Sequence, residues 1–304
     1  MNNVIFMQVK VFRNVKDYKF VPKLETSKQQ EIEEKIASIL GSNFHKIDLT
    51  KADAGIIEYL RQNSLIGRKT KVLYADKKQA ISISLFEDEH ITIRVSANEM
   101  QKSAIKSATE LANKLASKIS MSYNDEYGYL TSNLTHIGTG LQLECDIDLN
   151  SILKLGKIEQ IKQNIKHLGF NLTEKEPNIF TLSTTCNLGF TEKEIIEDFE
   201  KTVAKLEEVE LESAKMLFAS NHDEILDMVL RSNAILTSAY RIGADELKHR
   251  LSDIRTGINL NLIDFKVETL NKIQKLVTNK NSQIASQSEL VELAEKVKNI
   301  IKGE

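Results

Sequence analysis

The stretch AISISLFEDEHITIRVS, residues 80–96, sets the fold class. On either side of FEDE every second residue is apolar. Ile81, Ile83 and Leu85 alternate with Ser82 and Ser84, and Ile91, Ile93 and Val95 alternate with His90, Thr92 and Arg94. A period of two marks a strand, because successive side chains leave a pleated chain on opposite faces. Two such runs meeting at a short acidic segment predict neighbouring strands of a largely antiparallel sheet.

Working outward, VIFMQVKVF (4–12), KVLYA (71–75), the run after GTG (142–149) and IFTLSTTC (179–186) read as further strands. Helical spacing predicts helices over 29–40, 54–62, about 99–119 and 161–168. Beyond about Thr191 strand signals stop, and apolar residues recur at helical spacing to the end, with Ser288 as the expected N-cap of the last helix. The expectation is an α+β fold: a largely antiparallel sheet flanked by helices in residues 1–207, then an all-α domain over 208–304 whose stripes form a core and part of a dimer face.

Composition narrows the class. The 304 residues are 41% apolar and 28% charged, with a formal net charge of −2, as in an ordinary globular protein and unlike a dedicated nucleic-acid binder. No apolar run approaches the roughly 18 residues of a membrane span. The opening MNNVIFMQVKVFRN carries Lys10 inside its apolar stretch and lacks a small-residue cleavage site, so no signal peptide is expected and a cytoplasmic location follows. Cys145 and Cys186 show no metal-ligand spacing and are expected to be buried free thiols.

Three segments carry candidate chemistry. In FEDEH (86–90), Glu87, Asp88, Glu89 and His90 suit a general base, a guanidinium clamp or metal ligands, or form a solvated turn. GTG (138–140) either lets backbone approach a phosphate or makes a tight turn. Arg13 either pairs with an anion or caps the sheet.

Taken together with VKVFRNVKDYKF (9–20), LFEDEHITI (85–93), GYLTSNLTHIGTGL (128–141), NLGFTEKEIIEDF (187–199) and HRLSDIRTGINLNLI (249–263), the chain resembles the guanido phosphotransferases, and among them the bacterial protein-arginine kinases. That resemblance implies a nucleotide cage built mainly from arginines at five places. Here the corresponding positions hold Gln8, Lys10, Thr92 and Gln142, and the loop before NIFTL (178–182) has no arginine. His90 belongs to the same nucleotide side, with Arg13 and Arg94 as the cations left to compensate. On the guanidine side the resemblance places Asn133 and Leu134 where the family has cysteine and proline. It places Asp88 where a longer carboxylate is expected, with Glu87 beside it. Along the next strand Gln142, Glu144, Asp146 and Asp148 form a row that would repel a nucleotide.

A charge-assisted hydrogen bond contributes roughly 1.5–3 kcal/mol, so losing about four outweighs the roughly 4–8 kcal/mol with which a millimolar-to-micromolar ligand binds. The implied function is therefore that of a catalytically degenerate relative. It would act as a binding or regulatory scaffold in Clp-linked stress response, through a protein partner or homo-oligomer formed by the helical domain, with no nucleic-acid or membrane partner and no cofactor. The alternative is an active ATP-dependent protein-arginine kinase with a reorganised site, using Mg-ATP. A third reading is an acidic pocket of Glu87, Asp88, Glu144 and Asp146 that senses arginine, a polyamine or a basic peptide.

Overall fold

A computed structural model describes residues 3–77, 80–97, 99–277 and 286–303. In chain order its elements are β1 (Val4–Arg13), α1 (Thr26–Leu40), β2 (Phe44–Asp48), α2 (Ala54–Gln62), β3 (Val72–Asp76), β4 (Ile81–Leu85), β5 (Ile91–Ala97), α3 (Lys102–Ala116), β6 (Tyr123–Asn124), β7 (Gly128–Tyr129), β8 (Leu141–Asp148), α4 (Asn150–Lys154), α5 (Ile158–His167), β9 (Phe170–Glu176) and β10 (Ile179–Thr184). Among the described residues only helices follow: α6 (Glu192–Ser220), α7 (His222–Ser238), α8 (Ala244–Asn259), α9 (Val267–Lys275) and α10 (Gln287–Lys302). This is the expected α+β architecture with an all-helical C-terminal part. The large sheet has the strand order β2-β3-β4-β5-β1-β8-β10-β9. The pairs β1–β5, β2–β3, β3–β4 and β4–β5 are antiparallel.

The chain divides into two compact units, each assembled from separated segments: 6–145 with 183–199, and 1–5 with 146–182 and 200–304. In the first unit the alternation of β4 and β5 sends Ile83, Leu85, Ile91, Ile93 and Val95 into the core. Helix α3 packs on β5 through Ala104, Ile105, Ala108, Ala112 and Leu115, which recur every three or four residues and make one stripe. Ser82, Ser84, Thr92 and Arg94, on the opposite face, are buried as well.

In the other unit a helical core gathers Leu236, Leu247, Leu251, Ile254, Leu270, Ile273 and Val297. Helix α10 is N-capped by Ser286, not by the expected Ser288. The Ser286 hydroxyl accepts the Glu289 N–H, and the Glu289 carboxylate accepts the Ser286 N–H, a reciprocal cap that the serine two residues on cannot make. The HRLSDIRTGI block supplies buried polar joints. Asp253 accepts from the Ser232 hydroxyl at 2.9 Å, Thr256 Oγ1 accepts from Asn150 Nδ2 at 3.1 Å, and Arg255 Nε lies 3.7 Å from Asp148. Of the two cysteines, Cys145 is buried in β8 but Cys186 is exposed, because β10 ends at Thr184; both are free thiols.

Glu210 on α6 is buried, and its two oxygens accept the Ser151 and Ile152 N–H groups at 2.7 and 2.9 Å. Burial pushes its carboxyl up from 4.5 to about 8, against the pull of these hydrogen bonds. Burial likewise raises Asp148, against the charge of Arg255. The folded chain thus holds a proton that the unfolded chain releases, so stability falls as pH rises from about 4.5 to about 8. Urea midpoints measured across that window should decline, and Glu210→Gln should flatten the decline; an unchanged slope would show that Glu210 titrates normally.

Candidate functional site

The polar face of the sheet is set by register. Across β1–β5, Lys10 lies opposite Arg94, Gln8 opposite Ser96 and Phe12 opposite Thr92; across β4–β5, Ser82 and Ser84 lie opposite Arg94 and Thr92. Opposed residues share a face in an antiparallel pair. Gln8, Lys10, Thr92 and Arg94 are therefore gathered together. Gln142 and Glu144 on β8 join them: Gln142 Nε2 donates to Glu144 at 2.9 Å, and Glu144 accepts from Lys10 Nζ at 2.7 Å.

The cations on this face are already engaged. Lys10 is spent on Glu144. Arg94 donates to Glu87 at 2.5 Å and to Ser84 Oγ at 2.8 Å, deep inside the unit. The Thr70 hydroxyl and the Gly67 N–H complete the shell of Glu87. Burial pushes the Glu87 carboxyl up, but the Arg94 charge and these hydrogen bonds outweigh it and hold the group below its ordinary value. Gln8 donates to Ser64 O and Ser96 Oγ, and the buried Thr92 hydroxyl has no hydrogen-bond partner among the described residues.

The three consecutive carboxylates of FEDEH have three fates. Phe86 adopts a left-handed conformation, φ 59°, which turns the chain so that Glu87 and Glu89 point inward and Asp88 outward. The Asp88 carboxylate pairs with Lys69 at 2.6 Å, in a pair that is about two-thirds exposed. Glu89 accepts from Asn14 Nδ2, the Ser132 N–H and hydroxyl, and the Asn133 N–H. It is the clasp of the GYLTSN loop.

His90 is also internal. Its Nδ1 accepts the Val15 N–H at 3.0 Å, so Nε2 carries the proton and donates to the Lys19 carbonyl at 2.9 Å. Burial lowers its pKa against the Lys19 hydrogen bond, and the ring stays neutral. Asn133 accepts from the Thr135 N–H and hydroxyl and caps the 3-10 turn Leu134–His136.

The GTG loop closes on protein, not on an open cradle. Gly138 has φ 113°, and a Cβ there would lie 2.4 Å from the Asn187 carbonyl oxygen; Gly140, φ 60°, would collide with the Phe12 carbonyl oxygen at 2.6 Å. The Phe12 N–H donates to Gly140 O at 2.8 Å, and Arg13 Nη1 donates to Thr139 O at 2.9 Å. Arg13 also lies over the Tyr129 ring at 3.6 Å and 3.5 Å from Glu192. It caps the sheet, the structural role open to it from the sequence.

Sequence reasoning passed over His136, whose ring stacks on Phe12 with centroids 4.0 Å apart and planes 5° from parallel. Burial, then the Lys10 charge, bring its pKa down to about 4, so it adds no cation at neutral pH. The only available signal was its position three residues after Asn133 inside GYLTSNLTHIGTG.

The row on β8 is not one acidic surface. Glu144 borders the polar face, paired with Lys10. Asp146 accepts from Lys175 Nζ at 2.7 Å and Thr181 Oγ1 at 2.6 Å, and Asp148 is buried beside Arg255; both belong to the other unit. Glu87, Asp88, Glu144 and Asp146 are paired with four separate cations, Arg94, Lys69, Lys10 and Lys175.

Comparison with known proteins fits this architecture. The family model of the ATP:guanido phosphotransferase C-terminal catalytic domain matches residues 6–213, more than half of the chain, and that of the protein-arginine kinase McsB C-terminal domain matches 222–300. A protein-arginine kinase of Shouchella clausii is 30% identical over 61% of this chain and 54% of its own length; one from Bacillus cereus strain AH187 is 27% identical over 86% and 79%. The chain thus spans about half the length of the first of these relatives. Among solved structures, the duplicated taurocyamine kinase of Schistosoma mansoni with bound transition state analog components has TM-score 0.64 and 18% identity, covering 79% of this chain and 38% of that one. A lombricine kinase has TM-score 0.62 and 16% identity, covering 68% and 66%. No described helix is long and apolar enough to cross a membrane. By sheet, motif order and matched length, this chain belongs to the ATP:guanido phosphotransferase family.

Proposed function

We propose that this chain is a catalytically silent protein-arginine-kinase-like protein that works by binding. One observation carries the reading: the cations on the polar face of the sheet are neutralised by the chain's own carboxylates, Lys10 by Glu144 and Arg94 by Glu87. Phosphoryl transfer is mostly positioning and charge stabilisation, so a face with little net positive charge has little to offer a triphosphate. Gln8, Thr92 and Gln142 add no charge, and Arg13 is committed to the GTG loop and Glu192 at the end of β1.

The regulatory role, with a protein partner or a second copy docking through the helical part over 208–304, in the cytoplasm and in Clp-linked stress response, rests on the likeness to protein-arginine kinases. The test is label transfer from γ-labelled ATP, with magnesium, to an arginine-rich protein. No transfer above the protein-free control is expected. Turnover that disappears in Lys10→Ala or Arg94→Ala would replace this reading with an active kinase that uses a rearranged site.

A further inference from the structure

A cavity of about 940 Å³ lies away from the polar face of the sheet, between the loop that follows β1, helix α1 and the end of α3. Its wall carries six lysines, Lys16, Lys19, Lys23, Lys28, Lys35 and Lys118, against two carboxylates, Asp17 and Glu25. In a chain of net charge −2 this is a concentration of positive charge that overall composition does not supply. Lys28 pairs with Glu31, and Lys35 donates to the Tyr18 hydroxyl. Lys16, Lys19, Lys23 and Lys118 make no ion pair among the described residues.

The cleft is held in shape from below. The Lys16 N–H donates to Ser120 O at 2.9 Å, the Ser122 N–H donates to Asn14 O at 2.7 Å, and His90 clamps both the Val15 N–H and the Lys19 carbonyl. The backbone that presents Lys16 and Lys19 is thus fixed to the buried end of the FEDEH turn, and the backbone near Lys118 is fixed to the same loop. Like charges gathered on one wall without ion-pair partners repel one another, and a dense anion relieves that repulsion.

We propose that this cleft is a binding site for an oligophosphate, a chain of phosphoryl groups either free or carried by a nucleoside. Lysine ammonium groups suit phosphate oxygens as point charges, whereas planar bidentate recognition of a carboxylate favours arginine, and the wall has none. Charge density favours the same class. Each phosphoryl group brings about one negative charge and a terminal one up to about two, so a triphosphate chain concentrates in a few ångströms the charge that an acidic peptide spreads over several residues. The volume lies within the roughly 300–1,000 Å³ of small-molecule sites. The inference stands apart from the proposed function, because none of its six lysines belongs to the polar face of the sheet.

The test is isothermal titration of the full chain at low salt with tripolyphosphate, orthophosphate, ATP and hexaglutamate, magnesium omitted. Tripolyphosphate is expected to bind at least about tenfold more tightly than orthophosphate or hexaglutamate, and more weakly as salt rises. Lys19→Glu with Lys118→Glu should weaken it by about tenfold or more, with Lys16→Gln and Lys23→Gln as a second pair should the first lower the melting temperature. ATP that binds more tightly than tripolyphosphate, and loses that binding in the same variants, assigns the site to a nucleoside-borne chain; equal affinities assign it to the free chain. Absence of tripolyphosphate binding, equal binding of hexaglutamate, or wild-type affinity in folded lysine variants would each overturn the proposal.

Discussion

Glu89→Ala should cost about 1–3 kcal/mol of folding stability, the penalty for leaving a buried polar group without its hydrogen-bond partner. Glu89 is 1% exposed and receives the Ser132 and Asn133 N–H groups, the Ser132 hydroxyl and the Asn14 amide. Alanine takes this acceptor from the buried Asn14 amide and from the part-buried Ser132 and Asn133 N–H groups, of which only the first is shut off from water. Glu89→Gln keeps one acceptor oxygen and should fall between. The neighbouring Asp88→Ala removes only an exposed contact with Lys69 and should leave the urea midpoint unchanged. Equal midpoints for Glu89→Ala and Asp88→Ala would mean that the turn does not hold the loop through Glu89.

The second large effect is a gain. Glu144→Gln frees Lys10 from its 2.7 Å partner, and Gln142→Arg places a guanidinium two residues away on the same strand face. Two charge-assisted hydrogen bonds to phosphate at roughly 1.5–3 kcal/mol each would raise affinity for ATP by about 10- to 100-fold even if only half is realised. Both positions are half-buried on the rim of the face, so neither change opens a core cavity. The measurement is competition titration in a Lys19→Glu, Lys118→Glu background, which separates this face from the lysine-lined cleft. The gain should vanish on adding Lys10→Ala. No gain in the folded double variant would show that charge is not what limits nucleotide binding there.

Much of the sheet was legible because β1, β3, β4, β5, β8 and β10 alternate strongly or are apolar throughout. The strands missed, β2 (FHKID) and β9 (FNLTEKE), are the two edges of the sheet. An edge strand keeps polar residues on much of its surface, which blurs the period-two signal. The face of Ser82, Ser84, Thr92 and Arg94 was visible as an alternation, but its burial was not, since that depends on what covers it. Within FEDEH the residue types showed a charged turn. That Glu87 holds Arg94, Glu89 holds a loop and Asp88 faces water follows from the left-handed backbone at Phe86, which no residue type announced. The residue types on this face could be read from the sequence. The carboxylate partnered with each cation is a tertiary fact, since Lys10 and Glu144 are 134 positions apart.

The interleaved make-up of the two units bears on synthesis. The unit that begins at Phe6 is completed by Ser183–Phe199, and the other needs its first strand residues as well as everything after Glu200. A ribosome feeding out this chain from its start therefore cannot release one finished body before beginning the next, the usual course for consecutive domains. Residues 3–5 must wait for partners such as Glu207, which takes the Asn3 N–H, while more than two hundred residues are added. Such a delay lengthens the time that the apolar side chains of Val4 and Ile5, buried in the folded chain, stand uncovered.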